Sequence, residues 1–202
     1  MKKLLILLVG ETGSGKDTVA NMLSYDKVVS YTDRPARSED VQGVHHYFLS
    51  KAGMDAKLGL YRPLAYTQIG EYRYCAFKEQ LINDVTVYVI NPDGVKWMKE
   101  HYKGNDIKIL TIGLYLPLSE RAERCKDRSD FNNAFYKRVA DEQREFDNFR
   151  LNGEFDYLIK NNDSKKTASI INTIVCKEMA YMEKEERQSQ LLSDRITIYC
   201  FS

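Results

Sequence analysis

Several features that would place this chain in a specialised class are absent or weak. No apolar run approaches the roughly 20 residues that a membrane span needs. The 30 basic and 29 acidic residues leave a formal net charge of +1. The chain therefore lacks the excess of one sign of charge that would indicate binding to nucleic acid or to a membrane surface. Internal repeats and low-complexity segments are also absent. We therefore expect one soluble domain that binds neither membranes nor nucleic acids.

Cysteine is sparse and its spacing excludes two further classes. The four cysteines, at positions 75, 125, 176 and 200, form no C-x-x-C pair, no zinc-ligand spacing and no disulfide framework. This usage suits a reducing compartment in which cysteines are buried as small apolar residues. The apolar stretch after Met1-Lys2-Lys3 is too short for a signal peptide and lacks a small-residue cleavage site. We expect the protein to be cytoplasmic.

The most informative segment follows this first apolar run, where residues 10–18 read GETGSGKDT. A buried strand, a glycine-rich turn and a lysine that opens a helix are typical of a phosphate-binding loop. Small residues let several backbone N–H groups point at one anion, and the helix adds its positive N-terminal end. Lys16 is predicted to reach the β- and γ-phosphates and to act in catalysis. The predicted ATP-binding residues are Glu11, Thr12, Gly13, Ser14, Gly15, Lys16, Asp17 and Thr18.

Asp17 stands where such loops usually carry Ser or Thr to hold magnesium. A bare carboxylate repels a polyphosphate unless a magnesium ion or its waters lie between them. In one interpretation Asp17 faces the hydration shell of the metal and Thr18 points at a phosphate. In the other, Asp17 only favours the N-terminal turn of a helix. Mg²⁺, with ATP as phosphoryl donor, is the predicted cofactor.

Strand-like and helix-like segments alternate, which predicts an α/β fold with a mostly parallel central sheet. The predicted strands are 3–9, 27–31, 85–90, 107–115 and 156–160. The predicted helices are 16–24, 77–83, 94–102, 118–127, 131–149 and 164–182. Short alternating segments between residues 32 and 76 predict a small strand-rich insertion. Beyond residue 183 we expect a solvated helix or linker and then a strand over 196–201, which could pair with a sheet edge or with another subunit.

A second anion site is indicated by Arg34 and Arg37, which lie three apart in a Pro-containing loop and could aim both guanidinium groups at one phosphate. At this loop the chain resembles the guanylate kinase family. The residues in register with the acceptor-site signature of that family are Ser30, Thr32, Arg34, Arg37, Gly43, Phe48 and Ser50. The resemblance covers about residues 1 to 180 and implies the three-layer fold of P-loop NTPases.

The resemblance also implies an organisation and roles for individual residues. The guanylate kinase-like domain would span 1–182, with a core (1–31, 77–117 and 150–182), an acceptor-binding insertion (32–76) and a helical lid (118–149), followed by a tail (183–202). The acceptor phosphate would be held by Ser30, Arg34, Arg37, His46 and Tyr74, although His46 fits a surface histidine equally well. The lid would contribute the catalytic arginines Arg124, Arg128 and Arg138, whereas Arg121 and Arg144 resemble surface residues.

The chain departs from the family where guanine would be read. Leu64 or Ala65, and Val89, occupy positions at which the family has carboxylates, and Ala76 replaces a serine or threonine. A buried donor left without an acceptor costs about 1–3 kcal/mol. Other residues could compensate, namely Glu39, Gln68, Glu71 and Asp93. The sequence therefore predicts the phosphate contacts and leaves the base open.

The predicted function is that of an ATP-dependent nucleoside monophosphate kinase, with guanylate kinase (ATP + GMP to ADP + GDP, by in-line transfer) as the first candidate. The alternatives are a phage-type deoxynucleotide monophosphate kinase, a sugar-phosphate or other small-molecule kinase, and a non-catalytic protein-binding module. A kinase that acts on a hydroxyl needs a carboxylate beside it, for which Asp33 is the candidate. Small-molecule nucleotides are the predicted partners, and the oligomeric state is open.

Overall fold

The computed structural model describes residues 2–38, 40–127, 131 and 133–200, of which residue 133 and residues 192–200 are described in backbone only. The strands are β1 (Lys3–Gly10), β2 (Asp26–Lys27), β3 (Tyr31–Thr32), β4 (Tyr47–Phe48), β5 (Ala65–Ile69), β6 (Tyr72–Ala76), β7 (Val85–Val89), β8 (Ile107–Tyr115) and β9 (Tyr157–Lys160). The helices are α1 (Lys16–Met22), α2 (Lys51–Leu60), α3 (Pro92–His101), α4 (Leu118–Cys125), α5 (Asn133–Leu151) and α6 (Ser164–Cys200).

The central sheet is parallel, with strand order β2-β7-β1-β8-β9. Strand β1 lies in its middle and is buried from Leu4 to Gly10. Burial on both faces explains why the strand reads as a continuous apolar run instead of an alternating one. Because the strands are parallel, the segments that follow β1, β7, β8 and β9 all leave from the same edge of the sheet. Ligands of open α/β sheets bind at that edge.

Helices cover both faces of this sheet. On one face Leu4, Ile6 and Leu8 belong to a buried cluster that includes Val19 of α1 and Ile171 of α6. On the other face, alternate residues of β1 pack in a cluster that joins α3 and α5; its members include Leu5, Leu7, Val9, Val95, Met98, Phe146 and Phe149. The predicted α/β fold with a mostly parallel central sheet is therefore confirmed.

A second, smaller sheet has the order β4-β3-β6-β5 and lies within residues 31–76. Helix α2, which the sequence did not predict, crosses the same segment. It begins after Ser50, whose hydroxyl accepts a hydrogen bond from the backbone N–H of Gly53 (3.0 Å). Met54 is its buried residue, so the apolar periodicity that reveals a helix in a sequence is almost missing here.

Three predicted elements were wrong. The strand predicted over 27–31 is broken, because β2 pairs with β7 in the central sheet whereas β3 joins the second sheet. The helix predicted over 77–83 is a single 3₁₀ turn, Lys78–Gln80. The strand predicted from residue 196 is instead helical as far as Cys200, because α6 continues through the helix-forming Glu-Lys-Glu-Glu-Arg segment before it.

Over the part of the chain that is described, none of the helices has the length and apolar content required to cross a bilayer.

Candidate active site

The glycine-rich loop joins β1 to α1 at the carboxyl edge of the central sheet. Gly13 and Gly15 have φ values of 82° and 85°, in the left-handed region that only glycine adopts without strain. Inside the loop the N–H of Ser14 donates to the carbonyl of Glu11 (3.0 Å). From outside, the side-chain amide of Asn161, just after β9, donates to the carbonyl of Ser14 (2.7 Å). The conformation of the loop is thus stabilised by one internal hydrogen bond and by one from Asn161.

A cavity of about 760 Å³ lies over this loop. Its lining includes six of the eight residues predicted to bind ATP, namely Thr12, Gly13, Gly15, Lys16, Asp17 and Thr18. Arg124 of α4 and Arg138 of α5 also line the cavity. These two arginines and Lys16 outnumber the carboxylate of Asp17, so the cavity suits a strongly anionic ligand. Arg128, the third predicted lid arginine, lies outside the described residues.

The other two predicted ATP-binding residues do not point into this cavity. Ser14 is fully buried, and Glu11 is 6% exposed. The carboxylate of Glu11 accepts hydrogen bonds from Arg150 (2.6 Å) and Arg121 (3.2 Å). Two guanidinium groups hold the side chain of Glu11, so the contact with ATP expected at this position, through the backbone N–H, stays a prediction. Arg121, which was predicted to be a surface residue, is 4% exposed for the same reason.

Asp17 and Thr18 are exposed on the first turn of α1. Both line the cavity beside Lys16, the residue with which the helix begins. This position is compatible with a carboxylate that faces a hydrated metal and also with one that stabilises a helix N-terminus. Both interpretations of Asp17 remain open.

The second sheet brings together three of the residues predicted to bind the acceptor phosphate. The guanidinium of Arg34 lies 5.4 Å from the ring centre of Phe48 and pairs with the carboxylate of Asp40 at 2.8 Å. The ring of His46 meets Tyr74 and Phe48 edge-on, with centroids 5.5 and 5.7 Å away. Arg34, His46 and Tyr74 thus form one cluster, which we call the arginine cluster.

Arg37 and Ser30, the other two residues predicted to bind the acceptor phosphate, are not part of the arginine cluster. Arg37 is exposed, and its backbone N–H donates to the carboxylate of Asp40 (2.8 Å), which shapes the loop around Arg34. The hydroxyl of Ser30 lies 2.9 Å from the hydroxyl of Tyr88 on β7, in a buried hydrogen bond. Burial raises the pKa of Tyr88 to about 12, so this tyrosine stays neutral. Ser30 therefore ties the second sheet to the central one.

The comparison with known protein families decides the identity. The family model described as guanylate kinase matches residues 1–178. The chain belongs to the guanylate kinase family. As a member of this family, it is an ATP-dependent phosphotransferase.

Individual relatives and a solved structure agree with this assignment. The guanylate kinase of Rickettsia felis is 29% identical over 190 residues, which cover 88% of this chain and 95% of that protein. The guanylate kinase of Bartonella quintana is 26% identical over 190 residues, or 87% of this chain and 82% of that protein. The crystal structure of guanylate kinase from Anaplasma phagocytophilum superimposes with a TM-score of 0.64 at 23% identity, covering 88% of this chain and 87% of that one. The structural similarity shows a shared fold.

The residues predicted to stand where the guanylate kinase family reads guanine are apolar. Leu64, Ala65 and Ala76 are buried at 4%, 1% and 0% exposure, within one apolar cluster. On the same strand as Ala65, Thr67 lies opposite Tyr74 and donates to the Oδ1 of Asn91 (3.1 Å).

The carboxylates and amides that the sequence offered as substitutes are engaged elsewhere or differently placed. Glu71 is exposed and pairs with Lys51 at 2.8 Å, and Gln68 bonds the carbonyl of Gly70 (3.1 Å). Asp93 is exposed in the first turn of α3, and its N–H donates to Glu145 (2.9 Å). Glu39 lies outside the described residues. Thr67 and Asn91, which the sequence did not single out, are further candidates for base contacts, with Oδ1 of Asn91 already accepting from Thr67 and from the N–H of Gly94 (3.2 Å).

Sequence reasoning also missed a set of polar residues that hold the glycine-rich loop: Arg121, Glu142, Arg150 and Asn161. Asn161 follows the last strand of the parallel sheet, so its place at the carboxyl edge was a usable signal. The other three lie on helices among many charged residues, where nothing local marks one side chain as buried.

The pH dependence of folding stability tests the buried position of His46 in the arginine cluster. Its Nδ1 is buried without a hydrogen-bond partner among the described residues. Burial, and next the charge of Arg34, lower the pKa of His46 below its usual 6.5. In the unfolded chain the same histidine takes up a proton near pH 6.5, so folding stability is full above that pH and falls as the pH drops below it.

We expect the free energy of unfolding, measured in urea, to fall less between pH 7.5 and 5.5 in His46→Phe than in the wild type. Phe keeps the edge-on ring contacts and has nothing to protonate. His101→Phe is the matched control, because His101 is exposed. Equal losses of stability in wild type and His46→Phe would contradict the buried, neutral state of this ring.

Proposed function

We propose that this protein transfers the γ-phosphoryl group of ATP to the phosphate of GMP, and that it does so in the cytoplasm. The observation that supports the proposal is that two candidate phosphate sites are both attached near the carboxyl edge of the central sheet. The Lys16 cavity lies at the end of β1, and the arginine cluster belongs to a sheet that Ser30 attaches to β7, the neighbour of β1. Among the described residues, Cys75, Cys125 and Cys176 form no disulfide bond, which suits a reducing compartment.

The proposed roles follow from charge and position. Backbone N–H groups of the glycine-rich loop and the ammonium of Lys16 bind the phosphates of the donor. Arg34, Tyr74 and His46 bind the phosphate of the acceptor and aim one of its oxygens at the γ-phosphorus. That oxygen is already ionised, since the second pKa of a phosphate monoester is about 6, so the reaction needs no general base. Arg124 and Arg138 neutralise the charge that spreads over the transferred oxygens.

The residues around the cavity fit a magnesium ion that is carried mainly by the nucleotide. Among the described residues no group of three or more His, Cys, Asp or Glu side chains could hold a metal by itself. Mg²⁺ typically keeps several waters and uses one or two protein oxygens beside substrate phosphates. Asp17 and Thr18 supply such oxygens at the cavity wall. When bound, the ion would neutralise negative charge on the phosphates of the donor.

A kinase for hydroxyl acceptors receives no support from the structure. Asp33, its candidate base, has a side chain that is only 1% exposed and pairs with Arg73 at 2.6 Å. Although burial acts to raise the pKa of Asp33, the hydrogen bonds from Arg73 outweigh it and hold that pKa below its usual value. A carboxylate that is both buried and weakly basic cannot take a proton from an acceptor.

The second candidate function is phosphorylation of another nucleoside monophosphate. It is favoured by the buried Ala65 and Ala76, which leave guanine without the expected acceptor groups. Thr67 and Asn91 offer a hydroxyl and an amide instead, and these groups can serve bases other than guanine.

The test is a panel assay. The purified protein is incubated with ATP, magnesium and each ribo- or deoxyribonucleoside monophosphate in turn, and release of ADP is followed. We expect GMP to give the highest kcat/KM. The Lys16→Ala variant, purified in the same way, reports any contaminating kinase. A tenfold preference for another monophosphate would establish the second candidate, and no ADP release with any acceptor would contradict both.

A further inference from the structure

A carboxylate of helix α5 holds the glycine-rich loop through two hydrogen bonds. The N–H of Thr12 donates to Oε2 of Glu142 (2.8 Å), and the hydroxyl of Thr12 donates to Oε1 (2.6 Å). The two donors thus use both oxygens of one carboxylate. Thr12 is only 8% exposed, so little water competes for this contact. Hydrogen bonds to an ionised acceptor are the stronger kind.

The same edge of the loop is fixed by a second set of contacts. Nη1 of Arg121 donates to the carbonyl of Thr12 (3.1 Å), while its Nη2 reaches the carboxylate of Glu11 (3.2 Å). Arg150 of α5 binds the other oxygen of that carboxylate (2.6 Å). The N–H, the hydroxyl and the carbonyl of Thr12 are therefore all bonded to α4 or α5. Two carboxylates and two guanidinium groups balance one another within this network.

The contact of Glu142 lies one helical turn from a predicted catalytic residue. Arg138 precedes Glu142 by four positions on α5, and residues so spaced share one face of a helix. Arg138 lines the cavity over the loop, and Glu142 binds the edge of that loop. The hydrogen bonds to Thr12 therefore fix both the distance and the rotation of the turn that carries Arg138.

We propose that Glu142 is a positioning residue, which holds Arg138 over the phosphate loop by anchoring α5 to Thr12. The proposal rests on the proposed phosphoryl transfer and on the role of Arg138 in it. A displacement of about 1 Å from the productive geometry costs on the order of 100-fold in rate. Glu142 contributes to turnover in this way without touching either nucleotide.

The fold does not depend on this contact. Farther along α5, Phe146 and Phe149 are buried at 4% and 5% exposure, and Glu145 accepts from the N–H of Asp93 (2.9 Å). Glu142 itself is partly exposed. Its removal should therefore loosen the turn of Arg138 while α5 stays packed, which separates positioning from folding.

The two hydrogen bonds between Thr12 and Glu142 determine which variants test the proposal. In Glu142→Gln the amide oxygen accepts from the N–H of Thr12, and the amide NH₂ donates to the hydroxyl, whose proton can turn away. Glu142→Ala loses both contacts. Asp141→Ala removes a neighbouring carboxylate on the exposed side of α5 and serves as the matched control.

Steady-state kinetics with ATP and GMP test the proposal on the full-length protein. We expect Glu142→Ala to lower kcat about 10- to 100-fold while both KM values change less than about threefold. Glu142→Gln should recover most of this turnover, and Asp141→Ala should match the wild type. In the Arg138→Ala background, adding Glu142→Ala should change kcat less than about threefold, because a residue that acts through Arg138 has nothing left to position.

Three outcomes would overturn the proposal: normal kcat in Glu142→Ala, multiplicative losses in the double variant, or no recovery in Glu142→Gln. If Glu142→Ala does not fold, Thr12→Val removes the hydroxyl alone, and normal kcat in that variant would also overturn it. A wild-type protein without kinase activity would instead refute the proposed function, and the positioning role with it. Thermal unfolding of each variant shows whether the fold is retained.

Discussion

Replacing Lys16 with alanine should lower kcat for ATP and GMP at least about 100-fold and leave the fold intact. Lys16 is the first residue of α1 and lines the same cavity as Arg124 and Arg138. Its ammonium is the one cation that the loop itself contributes to the cavity. Loss of this charge weakens the binding of the β- and γ-phosphates of ATP. It destabilises the transition state more strongly, because charge moves between these two phosphates during the transfer.

Lys184→Ala is the matched control for this variant. It makes the same charge change at an exposed position of α6 that is remote in sequence from the loop. Calorimetric titration with ATP should show weakened binding in Lys16→Ala only, and the thermal unfolding midpoints of both variants should stay close to that of the wild type. Turnover of Lys16→Ala within threefold of the wild type would disprove the role assigned to this lysine.

The central sheet and the glycine-rich loop could be predicted because their signals are local. A strand buried on both faces is apolar throughout, as in Leu4–Val9, and the loop requires glycine where φ is positive, as at Gly13 and Gly15. The clustering of Arg34, His46 and Tyr74 was accessible only through the resemblance to a family. Forty residues separate Arg34 from Tyr74, and no local pattern reports that distance.

The errors arose where long-range contacts decide the structure. The strand predicted over 27–31 reads as one apolar segment, yet its two ends pair with strands of different sheets. Glu142 and Thr12 are 130 positions apart, and nothing local distinguishes Glu142 from the other carboxylates of α5, which are Asp141, Glu145 and Asp147. Arg121 resembled a surface residue for the same reason, since its burial depends on Glu11, far away in sequence. A charged residue on a helix is buried only where a residue of opposite charge pairs with it, and the sequence alone does not identify that partner.

Arg34→Ala should also lower kcat/KM for GMP at least about 100-fold, but through the acceptor. The side chain of Arg34 is 11% exposed and pairs with Asp40, which is 10% exposed, so the variant loses a phosphate ligand and leaves a carboxylate without its guanidinium partner. That carboxylate would repel the phosphate of the acceptor. The affinity for ATP, measured without acceptor, should stay within about threefold of the wild type, which distinguishes this loss from that of Lys16→Ala.

Two companion variants separate the contributions of charge, geometry and stability to this loss. Arg34→Lys keeps the charge without the planar fork, and we expect it to recover only part of the activity, because an ammonium cannot bind Asp40 and a phosphate with two parallel hydrogen bonds. In the Arg34→Ala/Asp40→Ala double variant the unpaired carboxylate is gone, so part of the lost stability should return while GMP turnover stays low; the hydrogen bond from the N–H of Arg37 to Asp40 is still missing. Arg62→Ala, at an exposed position of the same segment, controls for the loss of an arginine. Recovery of full turnover in the double variant would show that Arg34 serves only to neutralise Asp40, and the acceptor phosphate would then need another ligand.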